Sequence, residues 1–353
     1  MKILAIETSC DDTGLAIVDI DSTSITILSN IVNTQTIHEG YGGVFPAMAK
    51  REHIANIPGV YEEVMKEAGS PLIDAIAVTV GPGLEPSLWV GITFAVELSK
   101  KLHVPLIPVN HMEGHLLSSL LPEYENNKKI MFREMPEKAI SLLVSGGHTQ
   151  LIDVDGLGKY KILGTTLDDA VGEAFDKVAR MLDLPYPGGP AISKLAEMKR
   201  TSLESRSYQG EEEIEFPRPM LHSKDFNFSF SGLKTAILYY IRDNPIKNEE
   251  DKMAIAKEFE DAAIEVIIKK TVRAINESGS THLLLGGGVA ANKHLQNELS
   301  RVSLESGFEV YYPVKQITGD NALMIAIAGY FQTLRQEPTF DTTLFKANGS
   351  LKL

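Results

Sequence analysis

Two histidines four positions apart are the first residues of this sequence whose types and spacing point to chemistry. His111 and His115 stand in the segment His111-Met-Glu-Gly-His115, directly after an apolar strand that ends at Asn110. Residues four apart on a helix share one face, with Cβ atoms about 5 to 6 Å apart, so two imidazoles can reach one metal ion. The pair is therefore a candidate chelate, and a pair of surface histidines is the alternative.

A third metal ligand must come from another part of the chain. Cys10 is the only cysteine, which excludes a cysteine-rich zinc site and leaves histidine and carboxylate ligands. Asp320 in Thr318-Gly-Asp-Asn-Ala322 is the candidate, since it precedes a predicted helix. At that place it could also be a simple N-cap, which the sequence alone favours.

The histidine pair does not fit the metalloprotease signature, in which glutamate follows the first histidine directly. Glu113 lies two positions after His111. That spacing rotates it by roughly 200° around a helix of 3.6 residues per turn, so it points away from a metal that the histidines hold. A peptidase therefore ranks last among the functional hypotheses.

Glycine-rich turns form the second kind of candidate site. The segment Leu283-Leu-Leu-Gly-Gly-Gly-Val-Ala-Ala-Asn-Lys293 predicts a strand, a turn and a helix start. Such a turn lets the backbone approach a ligand, and a helix N-terminus favours negative charge. It has neither the Walker A nor the Rossmann spacing, so a tight structural turn is an equal alternative. Pro187-Gly-Gly-Pro190 is ambiguous in the same way, and Asp176 on a predicted helix would ordinarily be an ion-pair partner.

The elements that must position these residues show an internal duplication. Residues 3–19 and 140–154 each predict an apolar strand, a small polar turn and a second apolar strand. Turns built from Ser, Thr, Gly and Asp can direct amides and hydroxyls at a phosphate. Two facing copies would form a cleft, whereas two unrelated surface hairpins are the alternative.

Alternating strand and helix signals over the rest of the chain predict an α/β protein. Strands are predicted at 73–80, 106–109, 162–163, 283–285 and 308–311. Helices are predicted at 47–68, 87–102, 168–182, 252–277, 292–306 and 321–334. A chain of 353 residues is long for one core, so two domains are expected.

Composition narrows the function classes. The chain is 43% hydrophobic and 23% charged, the mixture of a globular protein, and no run is long enough for a membrane span or a signal peptide. A net charge of -13 argues against broad nucleic-acid binding, which relies on Lys and Arg. Small basic clusters are favoured as solvated faces; they lie at Lys50 and Arg51, Lys128 and Lys129, Lys159 and Lys161, and Lys199 and Arg200.

Taken together and in order, motifs over nearly the whole chain resemble the TsaD family, of bacterial or organellar type. The motifs are Glu7-Thr-Ser-Cys-Asp-Asp-Thr13, Gly42-Gly-Val-Phe-Pro-Ala47 with Arg51-Glu-His53, Gly81-Pro-Gly83, Asn110-His-Met-Glu-Gly-His115, Val144-Ser-Gly-Gly-His-Thr149, Phe175-Asp-Lys177, Tyr186-Pro-Gly-Gly189, Phe228-Ser-Phe-Ser-Gly-Leu-Lys234, Gly286-Gly-Gly-Val-Ala-Ala-Asn292 and Asp320-Asn321. The departures are peripheral: a charged connector from Glu123 to Lys138 and an acidic loop at Glu211 to Glu213.

The resemblance implies an actin-like ATPase (ASKHA) fold, with two lobes of duplicated mixed-sheet α/β core and a cleft between them. On this basis residues 1–122 plus 325–353 are expected to form the first lobe and 123–138 a connector. Residues 139–324 are expected to form the second lobe, with helical insertions.

The resemblance also implies an activity and a set of site residues. Family members are metal-dependent acyltransferases that move the threonylcarbamoyl group of threonylcarbamoyl-AMP to N6 of adenosine 37 in tRNAs reading codons that begin with A, with release of AMP. His111, His115 and Asp320 are implied to hold one divalent metal per subunit, Fe²⁺ first and Zn²⁺ second. The adenylate is implied to contact Leu143, Val144, Ser145, Gly146, Gly147, Asp176, Gly189 and Asn292. His148 is a candidate for accepting or relaying a proton, and a purely structural histidine is an equal alternative.

The resemblance also implies partner proteins, and two rival functions remain open. The family implies a cytoplasmic protein that meets tRNA with a shorter actin-like paralogue (TsaB-type), a P-loop ATPase (TsaE-type) and no membrane. An actin-like small-molecule kinase is the rival enzyme, since the same turns would serve ATP. A nucleotide-binding scaffold is the rival without catalysis, and the three candidate metal ligands speak against it.

Overall fold

A computed structural model describes residues 1–41, 43–124, 129–204 and 214–353 of the chain. Four sequence features lie partly or wholly outside these residues: the glycine motif at Gly42, one basic cluster at Lys128, the expected connector at residues 125–128, and the acidic loop at Glu211 to Glu213. No helix of the described residues is both long and apolar enough to span a membrane.

The chain divides into two compact units. The first unit comprises Met1–Pro136, Gly156–Tyr160 and Tyr312–Leu353. The second comprises Glu137–Asp155 and Lys161–Tyr311.

The described residues form strands and helices in alternation. The strands are β1 (Lys2–Glu7), β2 (Asp12–Ile20), β3 (Ser24–Thr34), β4 (Ala75–Gly81), β5 (Leu106–Asn110), β6 (Lys129–Met131), β7 (Ala139–Val144), β8 (Thr149–Val154), β9 (Tyr160–Thr165), β10 (His282–Gly286) and β11 (Glu309–Tyr311). The helices are α1 (Pro46–Glu67), α2 (Glu85–Leu102), α3 (His111–Ser118), α4 (Val171–Met181), α5 (Gly188–Glu204), α6 (Ser231–Asp243), α7 (Glu249–Ser278), α8 (Lys293–Ser306) and α9 (Ala322–Thr333).

The sheet of the first unit has the strand order β5-β4-β1-β2-β3-β6. β1, β4 and β5 are parallel neighbours, whereas β2 and β3 continue the sheet in antiparallel pairing. Alternate residues of a strand face opposite sides of a sheet. Leu4 and Ile6 therefore face the core that α1 and α2 cover. Ala77, on the other side, lies under α9, where an added Cβ at Gly329 would come within 2.8 Å of its Cβ.

The sheet of the second unit has the order β11-β10-β7-β8-β9. β7 is buried along its whole length and pairs with β8 antiparallel and with β10 parallel. Helices α4 to α8 belong to this unit, with α5 and α7 packed against each other. A strand buried on both faces needs an apolar sequence, which Ala-Ile-Ser-Leu-Leu-Val supplies.

The two sheets confirm the duplication that the two hairpin segments predicted. Leaving β6 aside, each sheet places its fifth, fourth, first, second and third strands side by side. In each, the first and second strands form an antiparallel hairpin and the first and fourth are parallel. The polar turn of each hairpin therefore follows the carboxyl end of a central strand.

The predicted helices and strands are all present, with ends shifted by a few residues. The sequence interpretation did not list β3, β6, α5 and α6. The expected connector 123–138 contains β6, which pairs with β3 of the first unit. The expected boundary between Met324 and Ile325 falls inside α9, and this helix stays with the first unit because it packs on β1, β2 and α3.

Gly91 on α2 offers a test of the packing in the first unit. A Cβ atom at Gly91 would lie 2.4 Å from Thr8 Oγ1, a buried hydroxyl that donates to the Ser87 carbonyl at 3.0 Å. We expect Gly91→Ala to lower the free energy of unfolding by about 1–3 kcal/mol, as overpacking usually does. The measurement is urea unfolding followed by circular dichroism.

Gly59→Ala is the matched control, because this glycine is exposed on α1 and an added Cβ meets nothing within 4 Å. Alanine is the better helix former, so we expect the control to gain about 0.5–1 kcal/mol. Equal unfolding midpoints for the two variants would contradict the close approach at Gly91.

Candidate functional site

The candidate metal site lies where three parallel strands of the first unit end. β1 ends at Glu7, β4 at Gly81 and β5 at Asn110. Because parallel neighbours end at the same edge of a sheet, these carboxyl ends lie together, the usual place for a site in an α/β protein. His111, the first residue of α3, follows β5 directly.

The start of α3 orients the two histidines. Asn110 is its N-cap, and its side-chain oxygen accepts hydrogen bonds from the backbone N–H of Met112 at 2.8 Å and of Glu113 at 3.3 Å. His111 and His115 then lie one turn apart on the same face, with ring centroids 4.7 Å apart. Both rings are buried, which excludes the surface-pair alternative.

Asp320 joins the two histidines and does not cap α9. The N-cap of α9 is Asn321, whose side-chain oxygen accepts from the Met324 N–H at 2.9 Å. The cap role that the sequence favoured for Asp320 is therefore wrong, because the next residue fills it. Asp320 Oδ1 lies 3.1 Å from His115 Nε2 and 3.4 Å from His111 Nε2. The three candidate ligand atoms lie within 4.8 Å of one another.

The other nitrogen of the His111 ring is held by the last residue of β1 and by the turn that follows it. His111 Nδ1 lies 3.1 Å from Glu7 Oε2 and 3.2 Å from Ser9 Oγ. The Glu7 carboxylate accepts from Thr79 Oγ1 at 2.6 Å and from the Ser9 N–H at 2.5 Å. A carboxylate on the far nitrogen fixes the tautomer and the ring orientation of a metal-binding histidine. Nε2 of His111 is thus directed to the same point as Nε2 of His115.

The electrostatics of this cluster suit a bound cation. Burial lowers the pKa of His115, whereas for His111 the charges of Asp320 and Glu7 outweigh burial and raise the pKa well above its ordinary value. Burial, reinforced by the charge of Asp320, raises the pKa of Asp12 to about 7. A divalent ion bound here would replace the proton on His111 and offset the crowded carboxylates. The donor set, two imidazoles and one carboxylate, fits Fe²⁺ or Zn²⁺.

Glu113 takes no part in this cluster, as its spacing predicted. Its Oε1 accepts from Tyr160 Oη at 2.9 Å and from Arg335 Nη2 at 2.6 Å. It is therefore committed to an ion pair elsewhere in the first unit and is not placed as the general base of a metalloprotease.

The second unit contains the residues expected at the adenylate, beginning with the turn after β7. The Ser145 N–H donates to the His148 carbonyl at 2.8 Å, and the His148 N–H donates to Ser145 Oγ at 3.1 Å. Gly146 and Gly147 at the tip are exposed. The side chains of Leu143 and Val144 are fully buried, so these two residues can offer a ligand only their backbone.

Two glycines bring other segments against this turn. Gly172 donates its N–H to the Ser145 carbonyl at 3.2 Å, and a Cβ there would meet Ser145 O at 2.6 Å. Gly287, with φ +90, approaches the Val144 backbone so closely that a Cβ would lie 2.3 Å from the Val144 carbonyl oxygen. Only glycine allows both the positive φ and the close approach to the Val144 backbone at this position. The Gly286 to Gly288 turn therefore lies against the turn after β7.

The remaining expected residues are linked to one another. Asp176 Oδ1 accepts from the Gly188 N–H at 2.7 Å, at the first residue of α5. Ser193 Oγ lies 3.0 Å from the Gly189 carbonyl oxygen and accepts from Asn292 Nδ2 at 2.9 Å. Asn292 is also the N-cap of α8, since its Oδ1 accepts from the Leu295 N–H. All eight expected adenylate residues belong to the second unit, and the three candidate metal ligands belong to the first.

The sequence interpretation missed the buried acids that hold these sites. Glu7 was part of a motif, but no spacing tied it to His111. Glu260 was missed although α7 carries a signal for it. Ala256, Glu260, Ala263 and Ile267 repeat at helical spacing, and the other three are apolar and fully buried. A charge in such a stripe must find buried partners.

A sequence model of the family described as "TsaD: tRNA N6-adenosine threonylcarbamoyltransferase" matches residues 26–327. Curated relatives carry the name tRNA N6-adenosine threonylcarbamoyltransferase. One from Aromatoleum aromaticum is 45% identical over 332 residues, which is 93% of this chain and 90% of the relative. One from Chromobacterium violaceum is 43% identical over 351 residues, which is 98% of this chain and 96% of the relative.

Among solved structures, two of HypF resemble this chain. Full-length HypF in a phosphate- and nucleotide-bound form aligns with a TM-score of 0.57 at 14% identity, over 95% of this chain and 46% of HypF. HypF of T. kodakarensis aligns with a TM-score of 0.58 at 15% identity, over 97% of this chain and 48% of HypF. The chain thus spans less than half of those longer chains. At this identity the likeness speaks for the fold alone, and it confirms the predicted actin-like α/β fold.

Removing the charge of Glu7 should weaken metal binding, although Glu7 is not itself a candidate metal ligand. Glu7→Gln keeps the shape of the side chain but loses the carboxylate that faces His111 Nδ1. Outer carboxylates of this kind are worth about 10- to 100-fold in metal affinity, and we expect a loss in that range. Competition with a chromophoric chelator measures it. Glu97→Gln, on the exposed side of α2, is the control, and equal affinities for the two variants would contradict the role of Glu7.

Metal affinity should also rise with pH. The pKa of His111 is raised in the metal-free protein, so below that pKa a proton must leave the ring before Nε2 and Nδ1 take up their metal-bound roles. We expect the apparent affinity to increase about tenfold per pH unit and to level off once His111 is neutral. Chelator competition at a series of pH values from about 6 to 9 measures this slope. A flat profile would show that metal binding displaces no proton.

Proposed function

Because the chain belongs to the tRNA N6-adenosine threonylcarbamoyltransferase family, we propose that it transfers the threonylcarbamoyl group of threonylcarbamoyl-AMP to N6 of adenosine 37 in tRNAs that read codons beginning with A. The amine nitrogen forms a bond to the carbamoyl carbon, the bond from that carbon to the phosphate oxygen breaks, and AMP leaves with the electron pair. The amine gives up a proton. The observation that carries the proposal is the convergence of His111, His115 and Asp320 in a member of this family.

One divalent metal ion is the proposed cofactor, with Fe²⁺ as the preferred ion and Zn²⁺ as the alternative. Nε2 of His111, Nε2 of His115 and the Asp320 carboxylate would hold it. When bound, such an ion supplies Lewis-acid stabilisation for developing negative charge. Glu7 and Ser9 hold the far side of the His111 ring, so the ligand geometry is set before the metal arrives.

The reactivity of the acyl donor, threonylcarbamoyl-AMP, determines which catalytic groups the protein must supply. Threonylcarbamoyl-AMP is a mixed anhydride and already activated, so no protein nucleophile of the Ser-His-Asp kind is needed. Positioning and charge stabilisation remain. The exposed turn at Gly146 and Gly147 supports a role in binding the adenylate through backbone N–H groups. The hydrogen bond from Gly188 to Asp176, and the contacts of Ser193 with Gly189 and Asn292, support a role in the same site for Asp176, Gly189 and Asn292. His148, in the same turn, is the proposed proton relay.

The acid character of the chain shapes its proposed partners. A net charge of -13 opposes a polyanion, because nucleic-acid affinity comes from neutralising phosphates with Lys and Arg. We therefore propose that tRNA binding in the cytoplasm depends on a small basic surface and on partner proteins, the TsaB-type paralogue and the TsaE-type ATPase.

The direct test is transfer of labelled threonylcarbamoyl from its adenylate to an unmodified tRNA that carries adenosine 37. We expect modified tRNA and equimolar AMP from the wild-type chain with its partners. His111→Ala should reduce the rate at least about 100-fold, since it removes a metal ligand. Gln150→Ala, in β8, is a control outside both sets of site residues.

Two outcomes would overturn the proposal. Phosphorylation of a small molecule by ATP, without transfer to tRNA, would indicate an actin-like kinase. Tight nucleotide binding with neither reaction would indicate a scaffold. Full transfer by His111→Ala without bound metal would remove the metal from the reaction and leave the transferase activity standing.

A further inference from the structure

Glu260 is a carboxylate buried completely inside the second unit, on the middle of α7. Its Oε1 accepts hydrogen bonds from Ser193 Oγ at 2.7 Å and from Asn292 Nδ2 at 2.7 Å. Its Oε2 accepts from Arg200 Nη1 at 2.7 Å. Every one of these partners lies on another segment, so the carboxylate joins α5 and the start of α8 to α7.

The partners of Glu260 belong to two of the turns expected at the adenylate. Ser193 contacts the Gly189 carbonyl at 3.0 Å, one turn into α5. Asn292 closes the glycine turn after β10. These two turns are about a hundred positions apart in the sequence, and the Ser193 to Asn292 contact alone joins residues 99 apart. Glu260 therefore holds both turns in one arrangement.

The amide of Asn292 shows what this arrangement offers to a ligand. A primary amide has two N–H donors and an oxygen with two lone pairs. Glu260 Oε1 and Ser193 Oγ lie only 2.7 Å apart, so a single N–H of Asn292 points between them, and one lone pair of its oxygen accepts from the Leu295 N–H at 2.8 Å. The described contacts thus fix both ends of the amide and leave one N–H and one lone pair of the oxygen for a ligand. The negative charge of Glu260 on the N–H side opposes any flip that would exchange the amide nitrogen and oxygen.

The energetic cost of Glu260 argues that it does more than join helices. Burying a carboxylate carries a desolvation penalty, and well-packed apolar residues often replace a buried ion pair without loss of stability. The neighbouring positions Ala256 and Ala263 already supply apolar contacts on the same face of α7. What an apolar residue cannot do is accept from Ser193 and Asn292 together.

We propose that Glu260 is a positioning residue of the nucleotide site, which fixes the Asn292 amide so that its oxygen accepts a hydrogen bond from a donor on the adenylate, such as a ribose hydroxyl. This inference rests on the proposed function. Glu260 has no place in the reaction itself. It sets affinity for the nucleotide part of the donor, and its loss leaves the metal site of the first unit unchanged.

Glu260→Gln tests the proposal, because it keeps the volume but places an amide opposite Asn292 Nδ2. A hydrogen bond to a charged group is worth roughly tenfold or more in affinity. We expect the Kd for AMP, measured by isothermal titration calorimetry, and the KM for threonylcarbamoyl-AMP to rise roughly tenfold. The value of kcat at saturating donor and the metal content should stay within about twofold, since the reacting atoms are untouched.

Glu250→Gln is the matched control, since Glu250 also lies on α7 and forms an ion pair with Lys199 on α5. We expect no change in its Kd for AMP. Asn292→Ala supplies the decisive comparison: if Glu260 acts through Asn292, Glu260→Gln should change the Kd much less in that background than in the wild type.

Should Glu260→Gln fail to fold, Ser193→Ala carries the same test, because it cuts the link between Glu260 and Gly189 and leaves the buried charges paired. An unchanged Kd for AMP in the folded variants would overturn the positioning role. So would an equal effect of Glu260→Gln with and without Asn292. A wild-type chain that binds neither AMP nor the adenylate would instead overturn the proposed function, so the two failures are distinguishable.

Discussion

The contact between Glu7 and His111 is the interaction on which the candidate metal site depends. Both groups are buried, and burial alone would raise the pKa of Glu7 and lower that of His111. The attraction between the two groups reverses both directions; the charge of Asp320 adds to this effect on the pKa of His111 and opposes it on the pKa of Glu7. The pair exists because β1 and β5 end at one edge of the sheet with β4 between them, and Thr79 of β4 donates to Glu7 at 2.6 Å. A change in strand order would separate the acid from the ring.

The second unit repeats the strand order of the first, but different residues lie at the carboxyl ends of its central strands. Its central hairpin ends in a turn with exposed glycines instead of a turn rich in acids. A buried acid again fixes the geometry, but Glu260 comes from a helix and faces neutral donors, Ser193 and Asn292, in addition to Arg200. In the proposed function one architecture therefore has two uses: a negative cluster that holds a cation in the first unit, and backbone amides that bind the phosphate of the adenylate in the second.

Local patterns predicted most of the fold, because strands and long amphipathic helices carry their own periodicity. The short helix α3 entered the sequence interpretation only because His111 and His115 lie four positions apart, which is the spacing of one helix face. The sequence alone favoured a helix cap for Asp320, since a polar residue before a helix usually has that role, and only the side chain of Asn321 shows that the cap is the next residue. Glu7 and Glu260 escaped prediction for a different reason. Glu7 and His111 lie 104 residues apart, and the partners of Glu260 lie 32 residues away or more, so no short motif records these contacts.

The division of work between buried acids and exposed turns follows from the donor proposed above. An activated anhydride needs no strong base or nucleophile in the protein, so acids with perturbed environments are free to hold other groups in place. Three asparagines combine a structural role with a place at a candidate site. Asn110, Asn292 and Asn321 each cap a helix and lie beside or within a candidate site. At Asn110 the side chain that begins α3 also sets where the next residue, His111, points. At these three positions helix formation and the placement of a candidate site residue are satisfied by the same few hydrogen bonds, whereas the turn at Gly146 and Gly147 offers exposed backbone.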